Sequence, residues 1–197
     1  MAQVKKQEVY DSILASASRL FQEKGYNATS VADIGQAAGM STSNIYVYFG
    51  SKIDILFSIY NPWFEIQLDH VALRVGAIVD RSDRLAAILE ALWMEIPSDP
   101  CGFPDAMLQA LISSAGAGGT REGAELERFT RARVEALFET ALPAGDLPID
   151  RRALVDLVLS VFHGILVGRR MSGGAAGIRA VIDLVVQRLL VPVGEPA

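Results

Sequence analysis

"MSTSNIYVYFGSK", residues 40–52, holds three aromatic side chains, a run of small hydroxyl and amide residues, and one lysine. Ile45 and Phe49 stand four apart, about one helical turn, so they share an inward face. Ser41 ahead of them is a helix N-cap residue. With Ile45 and Phe49 turned inward, Thr42, Ser43, Asn44, Tyr46 and Val47 lie on the other faces of the helix, and Tyr48 follows before the chain turns at Gly50. Short hydroxyl and amide groups reach phosphates or base edges, and a tyrosine adds a flat apolar ring with a hydroxyl at its tip. Such a segment reads as a helix arranged to lie on DNA.

The flanking sequence supports this reading. Upstream, "TSVADIGQAAG" (29–39) places Ser30 as a cap, Asp33 three positions on, and Val31, Ile34 and Ala38 on one face. Gly35 inside that helix costs about 1 kcal/mol relative to alanine, which points to a close helix contact that needs its bareness. Gly39 suits a left-handed C-cap. Two short helices joined by a tight glycine-containing turn form a helix-turn-helix. Further upstream, Ile13, Ala17, Leu20 and Phe21, extended by Val9 and Leu14, recur at helical spacing, and Lys24-Gly25 stops the helix, which the pattern puts at 5–24. Downstream, Ser51 caps a fourth helix with Lys52 in its first turn, and a helix N-terminus beside a lysine is a phosphate site.

The stretch "ILASASRLFQEKGYNATSVADIGQAAGMSTSNIYVYFGSKIDIL" (13–56) resembles the N-terminal domain of the TetR family of bacterial transcriptional regulators. "LFQEKGYNATS", "IGQAAGMS" and "IYVYFGSK" fall in order at the family's spacings. The resemblance implies that the third helix enters the major groove, with Ser41, Thr42, Ser43, Tyr46 and Tyr48 as contacts and Lys52 gripping a backbone phosphate. Two positions depart from the family pattern. Gly35 replaces a common alanine, and Val47 stands where a second tyrosine is frequent. Val47 touches a thymine methyl at most, since it has no hydrogen bond to offer a phosphate.

From Ile53 onward the pattern stays helical, with breaks at Pro62, Pro97–Pro104, the glycines at 116–119, Pro143–Pro148 and Gly173-Gly174. The expected helices are 52–76 (bent near Pro62), 82–96, 104–115, 120–141, 150–170 and 175–191. No strand-period alternation bounded by hairpin turns appears. The expected fold is therefore all-α: an N-terminal three-helix helix-turn-helix domain (1–52), then a larger helical effector-binding and dimerisation domain (53–197). The last two helices are too apolar to be surface helices of a monomer. In "RRALVDLVLSVFHGILVGRR", Arg152, Asp156, Ser160, Gly164 and Gly168 make one narrow polar or small stripe, and "IRAVIDLVVQRLLV" is broken only by Arg179, Asp183, Gln187 and Arg188. Surface helices show a broader polar face, so a second copy is expected to cover them. The resemblance implies the same two-fold dimer.

Composition narrows the function classes. Hydrophobic residues make up 51% and charged residues 21% of 197, which suits a folded core. The net charge of −5 is uneven: residues 1–52 carry five basic groups against four acidic, and the acidic excess lies beyond them. A mildly basic end binds DNA while the remainder is repelled. Cys101 is the only cysteine, which fits a reducing compartment. The start does not read as a secretory signal, and the longest apolar stretches are short for a membrane span, so a cytoplasmic protein without a membrane partner is expected. His70 and His163 lack a metal-ligand spacing, no glycine-rich phosphate loop follows a strand, and "SAGAGGT" (114–120) reads as a loop. No metal, cofactor or enzymatic activity is expected.

The expected function is that of a dimeric, sequence-specific DNA-binding transcriptional regulator. It is a repressor of a palindromic operator in double-stranded DNA, released by a small hydrophobic effector. Trp63, Phe64, Trp93, Phe103, Met107 and His163 are the candidate effector contacts, although each taken singly reads more readily as ordinary core. The alternative is a helical small-molecule sensor or carrier that no longer binds DNA.

Overall fold

The computed structural model describes residues 2–114, 121–142, 150–172 and 177–190. The breaks expected at 116–119, 143–148 and 173–174, and the loop at 114–120 apart from Ser114, lie outside them. Every described element is helical, and no strand occurs among the described residues. In chain order these are α1 (Ala2–Lys24), α2 (Val31–Ala37), α3 (Thr42–Tyr48), α4 (Lys52–Gly76), α5 (Arg81–Glu90), α6 (Phe103–Ser114), α7 (Arg121–Ala141), α8 (Arg151–Ser172) and α9 (Ile178–Leu190). The all-α expectation holds.

Most ends fall within three residues of the expected spans, and one element departs from regular α-helix inside its span. The helix expected over 82–96 is regular only as far as Glu90. It continues as a π-helical turn (Ala91–Glu95) and a 3-10 turn (Ile96–Ser98). Periodicity at 3.6 residues cannot register this widening, and Pro97 supplies no N–H for a regular ladder to continue.

The chain forms two compact units. The first comprises Met1–Phe64 with Asp99–Leu126 and holds α1–α3, the first half of α4, and α6. Its core at the N-terminal end is the stripe read from the sequence, Ile13, Ala17, Leu20 and Phe21, together with Ile34, Ile45 and Phe49, all buried. Each of the leucine, isoleucine and phenylalanine side chains contributes about 1.5–3 kcal/mol relative to exposure, and Ala17 less. Phe49 stacks on Tyr10 with ring centroids 5.0 Å apart, which fastens the end of α3 to α1. The second unit comprises Glu65–Ser98 with Glu127–Ala197. In it Leu85, Ile88, Leu89, Trp93, Val134, Phe138, Leu154, Val155, Val158, Phe162 and Ile182 are buried. The Trp93 indole N–H donates to the carbonyl of Val158 at 3.0 Å, tying the π-helical turn to α8. α5 packs on α9, where Arg179 pairs with Glu90.

Candidate nucleic-acid interface and aromatic cluster

The caps expected around the helix-turn-helix are present. Ser30 Oγ accepts from the Asp33 N–H at 3.1 Å, and the Asp33 carboxylate accepts from the Ser30 N–H at 2.8 Å, closing a capping box. The Ser30 hydroxyl and backbone N–H donating to Asp33 hold its carboxyl below the usual carboxylate range. Ser41 Oγ accepts from the Asn44 N–H at 3.3 Å and lies 2.9 Å from Ser43 Oγ. Gly25 and Gly39 both take positive φ (80° and 69°) where α1 and the α2 segment end. Gly35 is buried, and its carbonyl accepts from the Met40 N–H at 2.8 Å. A Cβ on Gly35 would stand 2.9 Å from the Met40 carbonyl oxygen. The close contact inferred from this glycine is therefore with the backbone that leads into α3.

On α3 the buried side is Ile45, followed by Phe49. Ser41, Ser43, Asn44, Tyr46 and Val47 are exposed, while Thr42 and Tyr48 are half-buried. Val47 is 72% exposed and Tyr46 54%, large values for apolar and aromatic groups held on a helix with nothing covering them. α3 thus presents a hydroxyl, an amide, a phenol and an aliphatic tip side by side, the functional groups that read base edges, thymine methyls and phosphates.

The Lys52 side chain reaches the turn that precedes α2. Its Nζ donates to the carbonyls of Tyr26 (2.8 Å) and Thr29 (2.9 Å) and lies 4.0 Å from the centroid of the Tyr26 ring. Burial holds its ammonium below the usual lysine range. Ser51 does cap α4, accepting from the Asp54 N–H at 3.2 Å. Asn27, Thr29, Gln109 and Ser113, which the sequence reading did not single out, share the turn that Lys52 reaches. Thr29 Oγ1 donates to the carbonyls of Gly25 (2.9 Å) and Leu20 (3.3 Å), and the Asn27 N–H donates to Gln109 Oε1 at 3.2 Å. A buried threonine between a helix stop and a capping serine was the available local signal.

The candidate effector contacts fall into separate groups. In the first unit, Trp63 and Phe64 gather with Tyr60: Tyr60–Phe64 centroids are 5.5 Å apart and nearly parallel, and Tyr60–Trp63 are 5.6 Å apart. Phe103 meets Trp63 edge-on at 5.8 Å, and Met107 is buried one helical turn further along α6. Trp93 and His163 belong to the second unit. Trp93 is buried on the Val158 carbonyl, and His163 is exposed on α8 with its ring edge against Phe162. His163 is therefore not a core histidine. Arg133 pairs with Glu65 (3.5 Å) and Asp69 (3.8 Å). Glu90 and Glu95 carry ion pairs with Arg179 and Arg74. Among the described residues no three His, Cys, Asp or Glu side chains gather as metal ligands, and no helix is long and apolar enough to cross a membrane.

Comparison with known proteins agrees with this geometry. Residues 13–59 match the family model described as bacterial regulatory proteins, tetR family. The chain is 38% identical over 174 residues to the HTH-type transcriptional regulator AcrR of Shigella flexneri, covering 79% of this chain and 77% of that protein. It is 30% identical over 178 residues to the HTH-type transcriptional repressor Rv1474c of Mycobacterium tuberculosis, covering 88% of both. Against two other curated regulators that it matches, the chain spans 40% and 63% of their length. Its fold is similar to that of FadR from Bacillus subtilis in complex with stearoyl-CoA, with a TM-score of 0.65 and 17% identity over 94% of this chain and all of that one.

Proposed function

Because the chain belongs to the TetR family of bacterial regulatory proteins, we propose that it is a cytoplasmic, dimeric, sequence-specific DNA-binding regulator, and that it is a repressor released by a small hydrophobic effector. The observation that carries this reading is the exposed face of α3. Thr42, Ser43, Asn44, Tyr46, Val47 and Tyr48 surround a helix whose only buried residue is Ile45. Residues 1–52 are the reading head, and residues 53–197 bind the effector and the second copy. The repressor Rv1474c, matched along 88% of its length, favours repression. Two copies related by two-fold symmetry read a palindrome with half-sites about one DNA turn apart.

The dimer face lies on α8 and α9, where Leu157, Val167, Met171, Val181 and Leu184 are exposed although large and apolar. The effector is acyl, aromatic or terpenoid-like, because the side chains gathered around Tyr60, Trp63, Phe64, Phe103 and Met107 are apolar and aromatic with few polar groups among them. A similar fold that holds stearoyl-CoA accords with that class. An effector that binds better to a conformer with altered head spacing lowers DNA affinity by linkage.

The test is retention of DNA flanking the protein's own gene in a gel shift, followed by release on adding such compounds. Thr42→Ala and Ser43→Ala should change the preference among operator variants. If no duplex is retained even at low salt, the DNA-binding reading fails. If only quaternary cations raise the melting temperature, the effector class fails.

A further inference from the structure

α3 turns Ile45, and after it Phe49, into the core, so the opposite side of the helix is centred on Val47. Val47 is 72% exposed, more open than any other large apolar side chain of α2 or α3. Ser43 stands four residues before it and Asn44 three, which sets both beside Val47 on one face. Tyr46 and Tyr48, its chain neighbours, fall on the two flanks. The outward face is therefore an aliphatic tip with a hydroxyl and an amide next to it.

Three features of this face bear on the bases it suits. The Asn44 backbone N–H is taken by Ser41, but among the described residues the side-chain amide has no hydrogen-bond partner. A donor and an acceptor held side by side match adenine, which presents its N6 amino group and N7 in the major groove. Val47 has no polar atom, and the apolar group it can meet in that groove is the C5-methyl of thymine. Guanine gains most from an arginine or lysine that reaches O6 and N7 together, and the chain carries no charged residue from Ile34 through Ser51. Ser43 suits either kind of pair.

We propose that the base pairs facing α3 in each half-site are A·T pairs, with Asn44 on an adenine and the Val47 methyls on a thymine C5-methyl. The proposal rests on the reading of α3 as the helix that enters the major groove. It concerns the bases alone, because grips on phosphates raise affinity for every sequence and carry no direct preference among them.

The experiment removes single groups from the DNA while the protein stays unmodified. The full chain selects from a random-sequence duplex pool, and the enriched sequence is resynthesised with one analogue at a time. Deoxyuridine in place of a thymidine removes the methyl, and 7-deazaadenine in place of an adenine removes N7. Affinity is read by fluorescence anisotropy at fixed salt. The enriched half-sites should carry A·T pairs at neighbouring positions. At one thymidine, deoxyuridine should weaken binding about fourfold, and at one adenine the deaza base should weaken it about tenfold. Val47→Ala should abolish the first penalty and keep the second, and Asn44→Ala the reverse. Both side chains are exposed, so alanine leaves the core untouched, and circular dichroism checks that the variants fold. Enriched half-sites made of G·C pairs overturn the proposal. So does a penalty that is absent from the unmodified protein, or that persists in full in the matching alanine variant. In each of these cases the DNA-binding reading stands. A pool that yields no bound duplex removes that reading, and this proposal with it.

Discussion

Gly35→Ala is the sharpest perturbation of the reading head, because two effects of opposite sign meet at one atom. Helix propensity favours the alanine in α2 by about 1 kcal/mol. Against this, the added Cβ would lie 2.9 Å from the Met40 carbonyl oxygen and 3.6 Å from both the Ser41 carbonyl carbon and Ile45 Cγ1. The nearest atom is backbone, and the Met40 N–H is already tied to the Gly35 carbonyl at 2.8 Å, so no side-chain rotation relieves the contact. Overpacking of this kind costs about 1–3 kcal/mol. The contact therefore wins by about 1 kcal/mol, equivalent to a fall in melting temperature of about 2–4 °C for a chain of this size. The functional loss should be larger than the stability loss implies, because the displaced atoms are Met40 and Ser41 and Ser41 caps α3. Urea denaturation followed by circular dichroism gives the first quantity, and operator affinity at fixed salt the second. A Gly35→Ala protein that is more stable and binds with unchanged affinity would refute the argument.

Other outcomes follow from the same geometry. Trp93→Phe removes the indole donor to Val158 and leaves a void, costing about 2 kcal/mol in thermal or urea unfolding. Leu184→Arg, at a residue 55% exposed on α9, should yield monomers by light scattering, since the charge would lie inside the proposed dimer face. Gly164→Ala supplies a second check on that face: among the described residues nothing lies within 4 Å of the added Cβ, so a monomer would gain about 1 kcal/mol, and a stabilised protein would count against close α8 packing between copies. The Asp33 and Asp80 carboxyls are held below the usual range by the Ser30 and Ser82 donors at the caps of α2 and α5. Their contribution is complete above the unfolded carboxyl pKa and is lost as the pH falls through the lowered folded values. Acid unfolding should therefore show a smaller pH dependence in Asp33→Asn and Asp80→Asn, which circular dichroism against pH measures.

The parts of this molecule legible in the sequence are those encoded by short-range spacing. Ile13, Ala17, Leu20 and Phe21 announced α1, Ser30 and Ser41 marked two helix starts, and Gly25 and Gly39 marked two ends, because caps and stripes depend on neighbours within a turn or two. Gly35 announced a close contact without naming the Met40 carbonyl. What stayed illegible depends on chain distance. The bond between Asn27 and Gln109 joins residues 82 apart, and no periodicity in α6 points to it. Lys52 was placed correctly at the first turn of α4, yet the direction of a long flexible side chain is decided by which acceptors the folded backbone leaves open, here those of Tyr26 and Thr29. The aromatic residues were legible as apolar, but not by which of them meet: Trp63 and Phe103 touch, and Trp93 lies in the other unit.

The fastening of turn 25–29 bears on how such proteins diversify and how they can be recombined. A reading head transplanted between paralogues as a cassette ending at residue 52 would carry Lys52 along with the carbonyls it serves. It would leave behind Gln109, Ser113 (which donates to Asn27 Oδ1 at 2.8 Å) and Asp105 (which accepts from the Gln109 amide at 2.7 Å), and would meet the recipient's own α6 instead. Position 27 and positions 109 and 113 should accordingly be inherited as a set. Chimeras that move the head alone should fail more often than those that carry the segment 103–114 with it.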